Sequence, residues 1–143
     1  MIEHITTTHF SDAQRLFHGR GQAYPNLSHV NVDWLPPVVL ITLYQEVEQD
    51  WLENQATLLF ELVPESTSVQ VQYRSRPKAP IETLMGEEVT NTIVSENGLK
   101  YHVELGKTQN TGLFLDMANG RKWAEAQSNN ANVLNLFSYT CAF

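Results

Sequence analysis

The chain is short of cysteine, of positive charge and of long apolar runs, and each shortage closes off a class of function. Its one cysteine, Cys141, cannot form an internal disulfide and reads as the free thiol of a reducing compartment. The five histidines, His4, His9, His18, His29 and His102, show no metal-ligand spacing, so no metal site is expected. Nine Lys and Arg stand against sixteen Asp and Glu, a net charge of -7. That balance exerts no general pull on nucleic acid, and any basic surface that meets RNA must be local or lie elsewhere. No stretch approaches the ~18 apolar residues of a membrane span, and the opening residues do not read as a secretory leader. A cytoplasmic location is the expectation. There is no G-x-S-x-G elbow to mark a nucleophile, and Glu87-Glu88 reads as a solvated pair.

What remains suits a folded domain. The 143 residues suffice for one real core, and 42% hydrophobic with 17% charged residues is near ordinary globular composition. Ser11-Asp12-Ala13-Gln14-Arg15-Leu16-Phe17-His18-Gly19 has an N-cap serine, an acidic first turn and a closing glycine, which predict a short helix. Gly19-Arg20-Gly21 reads as a plain turn, because no strand-to-helix context supports a phosphate cradle.

From His29 the period changes to two: Val30, Val32 and Trp34 face one way, His29, Asn31 and Asp33 the other. After the bend at Pro36-Pro37, the apolar run from Val38 to Tyr44 predicts a central strand covered on both faces and paired with the first. Trp51, Leu52, Leu58, Leu59 and Leu62 recur at helical spacing and predict a core-facing helix over 46–63, closed by Pro64. Val69, Val71 and Tyr73 alternate with Gln70, Gln72 and Arg74 in a third strand. A fourth is expected over 89–96, then a type I′ turn at Asn97-Gly98, then a fifth strand carrying Leu99, Tyr101, Val103 and Leu105. This order predicts an α+β fold: a small mixed or antiparallel sheet with one covering helix. Arg74-Ser75-Arg76-Pro77-Lys78-Ala79-Pro80 is the only concentrated basic segment. It reads as a solvated loop on charge alone, with phosphate contact as the functional alternative.

Beyond Gly106 the composition shifts. A helix is expected over 115–127, with Trp123 among its apolar positions, then a polar loop and an apolar strand over 133–137 of the kind that opens a parallel sheet. The chain thus divides into an N-terminal helix and turn (1–28), an α+β sheet domain (29–106) and the first helix and strand of a truncated Rossmann-like domain (107–143).

Two stretches of the last part carry a resemblance. Gln109-Asn110-Thr111-Gly112-Leu113-Phe114-Leu115-Asp116 is followed, about one helix later, by Val133-Leu134-Asn135-Leu136-Phe137-Ser138-Tyr139-Thr140. The pair resembles the signature of class I S-adenosylmethionine-dependent methyltransferases of the bacterial ribosomal RNA methyltransferase family, some of which make 5-methylcytosine. Asn97 to Val103 resembles the hairpin that precedes their catalytic domain. The resemblance implies S-adenosylmethionine as the parent family's cofactor. Asn135, Phe137, Tyr139 and Thr140 would line its methionine and adenosine, and Gln109, Thr111, Phe114 and Asp116 would close one wall. The competing reading makes Phe114, Leu115 and Phe137 plain core. Family members carry a glycine pair after the threonine, where backbone nears the cofactor; Cys141 and Ala142 stand there instead.

The resemblance also implies a ribose-binding acid and a base-attacking cysteine in later motifs, and Cys141 is not placed for the second task. The expectation is therefore an N-terminal fragment or truncated relative with no catalytic residue of its own, binding cofactor weakly or not at all. RNA would be a partner only of the full-length parent. The alternative is a non-enzymatic α+β binding or self-association module, a dimer formed through the unpaired apolar strand at 133–137.

Overall fold

Strand alternation sets the architecture of the computed structural model, which describes residues 1–6, 9–136 and 138–143. β1 (Gln14–His18), β2 (Val30–Leu35), β3 (Val38–Leu43), β4 (Ser68–Tyr73) and β5 (Ile81–Gly86) form one sheet in that spatial order. Neighbours are antiparallel except β3 and β4, which run parallel because α1 (Gln49–Leu62) carries the chain back between them. β6 (Asn91–Glu96) and β7 (Leu99–Glu104) make a separate antiparallel hairpin, and α2 (Ala118–Gln127) follows a 3-10 turn at Leu115–Met117. The fold is α+β with a mixed sheet, as the sequence predicts.

β2, β3 and β4 are buried along their whole length because both sheet faces are covered. On one face Val30, Val32, Trp34, Val39, Ile41, Leu43, Val69, Val71 and Tyr73 pack against Leu52, Ala56, Leu59 and Val63. Those four recur every third or fourth residue, which gives α1 its single apolar stripe. The helix ends with the Val63 amide on the Leu59 carbonyl at 3.1 Å, just before Pro64. The opposite face is mixed. Leu35, Val38 and Leu40 join Val94, Val103, Leu105, Leu113 and Leu115 in a second core. The rest of that face carries Asn31, Asp33, Thr42, Gln70 and Gln72, all buried. At the hairpin tip Asn97 and Gly98 have φ of 51° and 80°, the positive values the two-residue turn requires.

Four expectations are corrected. The segment 11–19 is not a helix. Asp12 Oδ2 accepts the Asn97 amide at 3.1 Å and the Ala13 amide donates to the Ser95 carbonyl at 2.8 Å. The would-be cap instead grips the hairpin, and β1 pairs with β2 through a bulge between Arg15 and Phe17 that lets Leu16 and Phe17 both be buried. Next, β5 was missed as an edge strand whose side chains are largely exposed and do not alternate cleanly. Residues 133–136 form no strand and are exposed, since no strand among the described residues lies beside them to supply a ladder; Phe137 lies outside the described residues. Last, Leu58 is 37% exposed and Trp123 68% exposed, because neither sits on the packed stripe of its helix.

The position of that stripe is testable. Leu59→Ala is expected to cost ~2–5 kcal/mol and Leu58→Ala under ~1 kcal/mol, in urea denaturation followed by circular dichroism. Equal losses would mean that α1 presents a different face to the sheet.

Candidate functional site

Register aligns the polar side chains on the face away from α1. His18, Asn31, Thr42 and Gln72 form one cross-strand row, and Arg15, Asp33, Leu40 and Gln70 the next. Residues 110–116 lie opposite, enclosing a cleft of about 350 Å3 also lined by Arg20, Tyr44 and Arg74. Hydrogen bonds fix this arrangement. Gln72 Nε2 donates to the Gln109 carbonyl at 3.2 Å, and Arg74 Nη2 donates to that carbonyl at 2.6 Å and to Asn110 Oδ1 at 2.8 Å. Gln70 Nε2 donates to the Val89 carbonyl at 3.0 Å. Buried amides need partners, and here the partners are backbone on either side of the β6–β7 hairpin.

Charge is partitioned among the arginines. Arg15 donates from Nε and Nη2 to the Asp33 carboxylate at 2.8 and 3.2 Å. Burial pushes the Asp33 carboxyl above its ordinary range, offset only in part by that guanidinium. The basic loop divides between two surroundings. Arg76 donates to Glu46 at 2.7 Å, reaches Glu82 at 3.4 Å and stacks 3.6 Å above the Tyr73 ring. Hydrogen bonds from Arg76 and Ser75 draw the Glu46 carboxyl below its ordinary range. Arg74 instead turns into the cleft, where its hydrogen bonds go to Gln72, Gln109 and Asn110.

The two signature stretches meet. Thr140 Oγ1 donates to the Gly112 carbonyl at 2.7 Å, and the Phe114 and Tyr139 rings stand 5.5 Å apart. Thr111, Phe114 and Asp116 line the cleft, and Gln109 lends it a carbonyl. Phe114 is 47% exposed and Leu115 only 7%, so of the two only Leu115 is core. Asn135 stands apart, lining a second, apolar groove of about 390 Å3 with Leu99, Tyr101, Val133 and Phe143. Phe137 lies outside the described residues. Cys141 has φ of 55°, a left-handed conformation that favours the glycine found there in the family it resembles. Among the described residues no cluster of His, Cys, Asp and Glu could hold a metal ion, and no helix is long and apolar enough to cross a membrane.

The model of the family described as S-adenosylmethionine-dependent methyltransferase matches residues 14–143. The chain belongs to that family. Its methyltransferase relatives include ribosomal RNA large subunit methyltransferase I of Shewanella amazonensis, 30% identical over 129 residues, which make up 86% of this chain and 33% of the relative. A ribosomal RNA large subunit methyltransferase of Deinococcus radiodurans is 26% identical over 93% of this chain and 34% of its own length. A solved structure from Streptococcus mutans, assigned as a SAM-dependent methyltransferase, superposes with a TM-score of 0.75 at 27% identity, covering 93% of this chain and 34% of that one. Another, assigned as a methyltransferase and complexed with SAH, superposes at 0.74 and 27% identity over the same shares. The matched stretch spans about a third of the length of these two curated relatives, and less of others.

Sequence reasoning missed the cleft floor of this methyltransferase chain. Asn31, Asp33 and Gln72 alternate with apolar residues, and such alternation ordinarily marks a solvent face. The available signal was β3, too apolar for a strand with one wet side; its neighbours had to share its burial. A second missed feature anchors α2. Arg121 donates from Nε and Nη2 to the Glu96 carboxylate, both at 2.7 Å, and from Nη2 to the Phe114 carbonyl at 3.0 Å. The two side chains are 7% and 5% exposed, and the hydrogen bond that Arg121 donates to Glu96 raises the affinity of Arg121 for its proton. Arg121→Met leaves Glu96 buried without a counter-charge and is expected to cost ~3–5 kcal/mol, most of it recovered by adding Glu96→Leu. Urea denaturation of the three proteins checks this. A loss below ~1 kcal/mol in the single variant would show that the pair carries no such weight.

Proposed function

We propose that this chain supplies the substrate-facing sheet and the first cofactor-contacting segment of an RNA methyltransferase, with ribosomal RNA as the substrate class its relatives' names suggest. The observation that carries the reading is the meeting of Gly112 with Thr140 and of Phe114 with Tyr139 beside a polar cleft, in a chain matched to the family over 14–143. The residues suit S-adenosylmethionine: two half-exposed rings offer faces to an adenine, and Thr111, Asp116 and Thr140 offer polar groups to its ribose and amino acid. When bound, that cofactor supplies an electrophilic methyl group on a sulfonium. Gln109 completes the proposed contact set at the cleft, while Asn135, in the apolar groove, and Phe137, outside the described residues, belong to it by resemblance alone. None of these residues is proposed as a catalytic acid, base or nucleophile. Catalysis is proposed to need parts that the longer relatives carry, with the division near Gly106 separating sheet from cofactor segment. A cytoplasmic setting fits an enzyme of ribosomal RNA.

Because Phe114, Asp116, Tyr139 and Thr140 are exposed, this wall alone leaves much of a bound nucleoside in water. Nuclear magnetic resonance titration of the 143-residue chain with S-adenosylhomocysteine is expected to shift Thr111, Phe114, Asp116, Tyr139 and Thr140, with a dissociation constant weaker than ~100 μM. Shifts confined to other residues, or none at millimolar ligand, would contradict the cofactor assignment.

Self-association is a second reading, favoured by one observation. Leu99, Val133, Leu134 and Phe143 are each more than half exposed around the apolar groove. Such a patch is large for a monomer surface, and a two-fold pair would bury it. Light scattering should give a dimer mass for the chain and a monomer mass for a version ending at Asn130; two monomer masses would end this reading.

A further inference from the structure

The cleft holds polar and charged groups beyond those that seat residues 109–116 on the sheet. Asn31 is 3% exposed and lines the cleft, yet its Oδ1 has no hydrogen-bond partner among the described residues. Beside it in the same row stand Thr42 and Gln72, a hydroxyl and an amide on a flat strand surface.

The charges are equally selective. Of the five arginines in the sequence, Arg15, Arg76 and Arg121 are paired with Asp33, with Glu46 and Glu82, and with Glu96. Arg20 and Arg74 form no salt bridge among the described residues, and both line this cleft. They approach the same ring, Arg20 at 4.2 Å and Arg74 at 5.9 Å from the Tyr44 centroid. Arg74 keeps Nη1 free of the hydrogen bonds that hold its Nε and Nη2, and with Arg20 against the same ring it outweighs Asp116, the carboxylate on the far wall, so the two can meet an anion with several oxygens. In a chain of net charge -7 such a local surplus is specific rather than general. The volume, about 350 Å3, is at the small end of ligand pockets, which run ~300–1,000 Å3.

We propose that this cleft is a subsite for one nucleotide of single-stranded RNA: Arg20 and Arg74 hold its phosphate beside Tyr44, and its base lies over the polar row of Asn31, Thr42 and Gln72. Splayed single-stranded bases present both edges to a protein, whereas a paired helix cannot enter so small a space. The inference rests on the RNA reading above and adds the place of contact. Asp116 and Thr111 lie across the same cleft, so the nucleotide sits next to the segment assigned to the cofactor.

The test titrates the isotope-labelled 143-residue chain with a single-stranded tetraribonucleotide, with its DNA counterpart and with inorganic phosphate at matched ionic strength. RNA is expected to shift Asn31, Thr42, Tyr44 and Gln72 saturably, and DNA and phosphate to do so at least tenfold more weakly. Arg20→Gln, at an exposed position, is expected to weaken RNA binding at least fivefold with the rest of the spectrum unchanged, and Arg20→Lys to restore part of it. RNA shifts elsewhere with the cleft silent would overturn this subsite and leave the RNA reading standing. No RNA response anywhere would overturn both, while the cofactor titration would still stand separately. Equal responses to phosphate or DNA, or an Arg20→Gln variant that binds as before, would also overturn it.

Discussion

Two glutamines on β4 govern how the parts of this chain are joined. Gln70 and Gln72 are 1% and 2% exposed, and each donates its side-chain amide to a backbone carbonyl outside the sheet, Val89 before the hairpin and Gln109 after it. A buried amide without a partner is costly, so the sheet cannot close its second face unless those loops come to meet it. Once they do, Leu113 and Leu115 reach the second core, the Glu104 amide finds the Thr111 carbonyl at 3.1 Å, and 110–116 becomes the far wall of the cleft. The apolar face against α1 stabilises the sheet; the polar face decides what stands opposite it.

The same partition explains how an acidic chain can carry the anion subsite proposed above. Carboxylates neutralise the arginines whose work is structural, at the β1–β2 pair, at the loop after β4 and under α2. The two left without carboxylates both reach the cleft. Net charge therefore says little about this surface; the placement of each guanidinium says more. Tyr44, just past β3, orients both and lies at the end of a strand buried along its whole length, so the pair inherits the rigidity of the sheet.

Legibility in the sequence followed the strength of local signals. The β2–β3 pair, α1, β4, the Asn97-Gly98 hairpin and α2 could each be read from period, turn chemistry or a terminating proline, because in each the local preference and the tertiary packing agree. The signature stretches were legible by resemblance. What could not be read depends on distant partners. Ser11-Asp12 looks like a cap until the Asn97 amide claims the Asp12 carboxylate. Residues 133–136 look like a strand, yet a strand exists only where a neighbour supplies a ladder. Gln70 and Gln72 look solvent-facing until loops 19 and 37 residues further along arrive to bond them.

The central claim is that the glutamine pair seats the hairpin and residues 109–116 on the sheet. Native-state hydrogen exchange on the chain and on a Gln70→Ala/Gln72→Ala variant tests it most directly. The account predicts that the β6–β7 amides and the Glu104 amide lose protection by at least about fivefold, the loss of two hydrogen bonds, while Val32 and Ile41 at the sheet centre keep theirs. Uniform loss across the chain, or unchanged protection at Glu104, would contradict it.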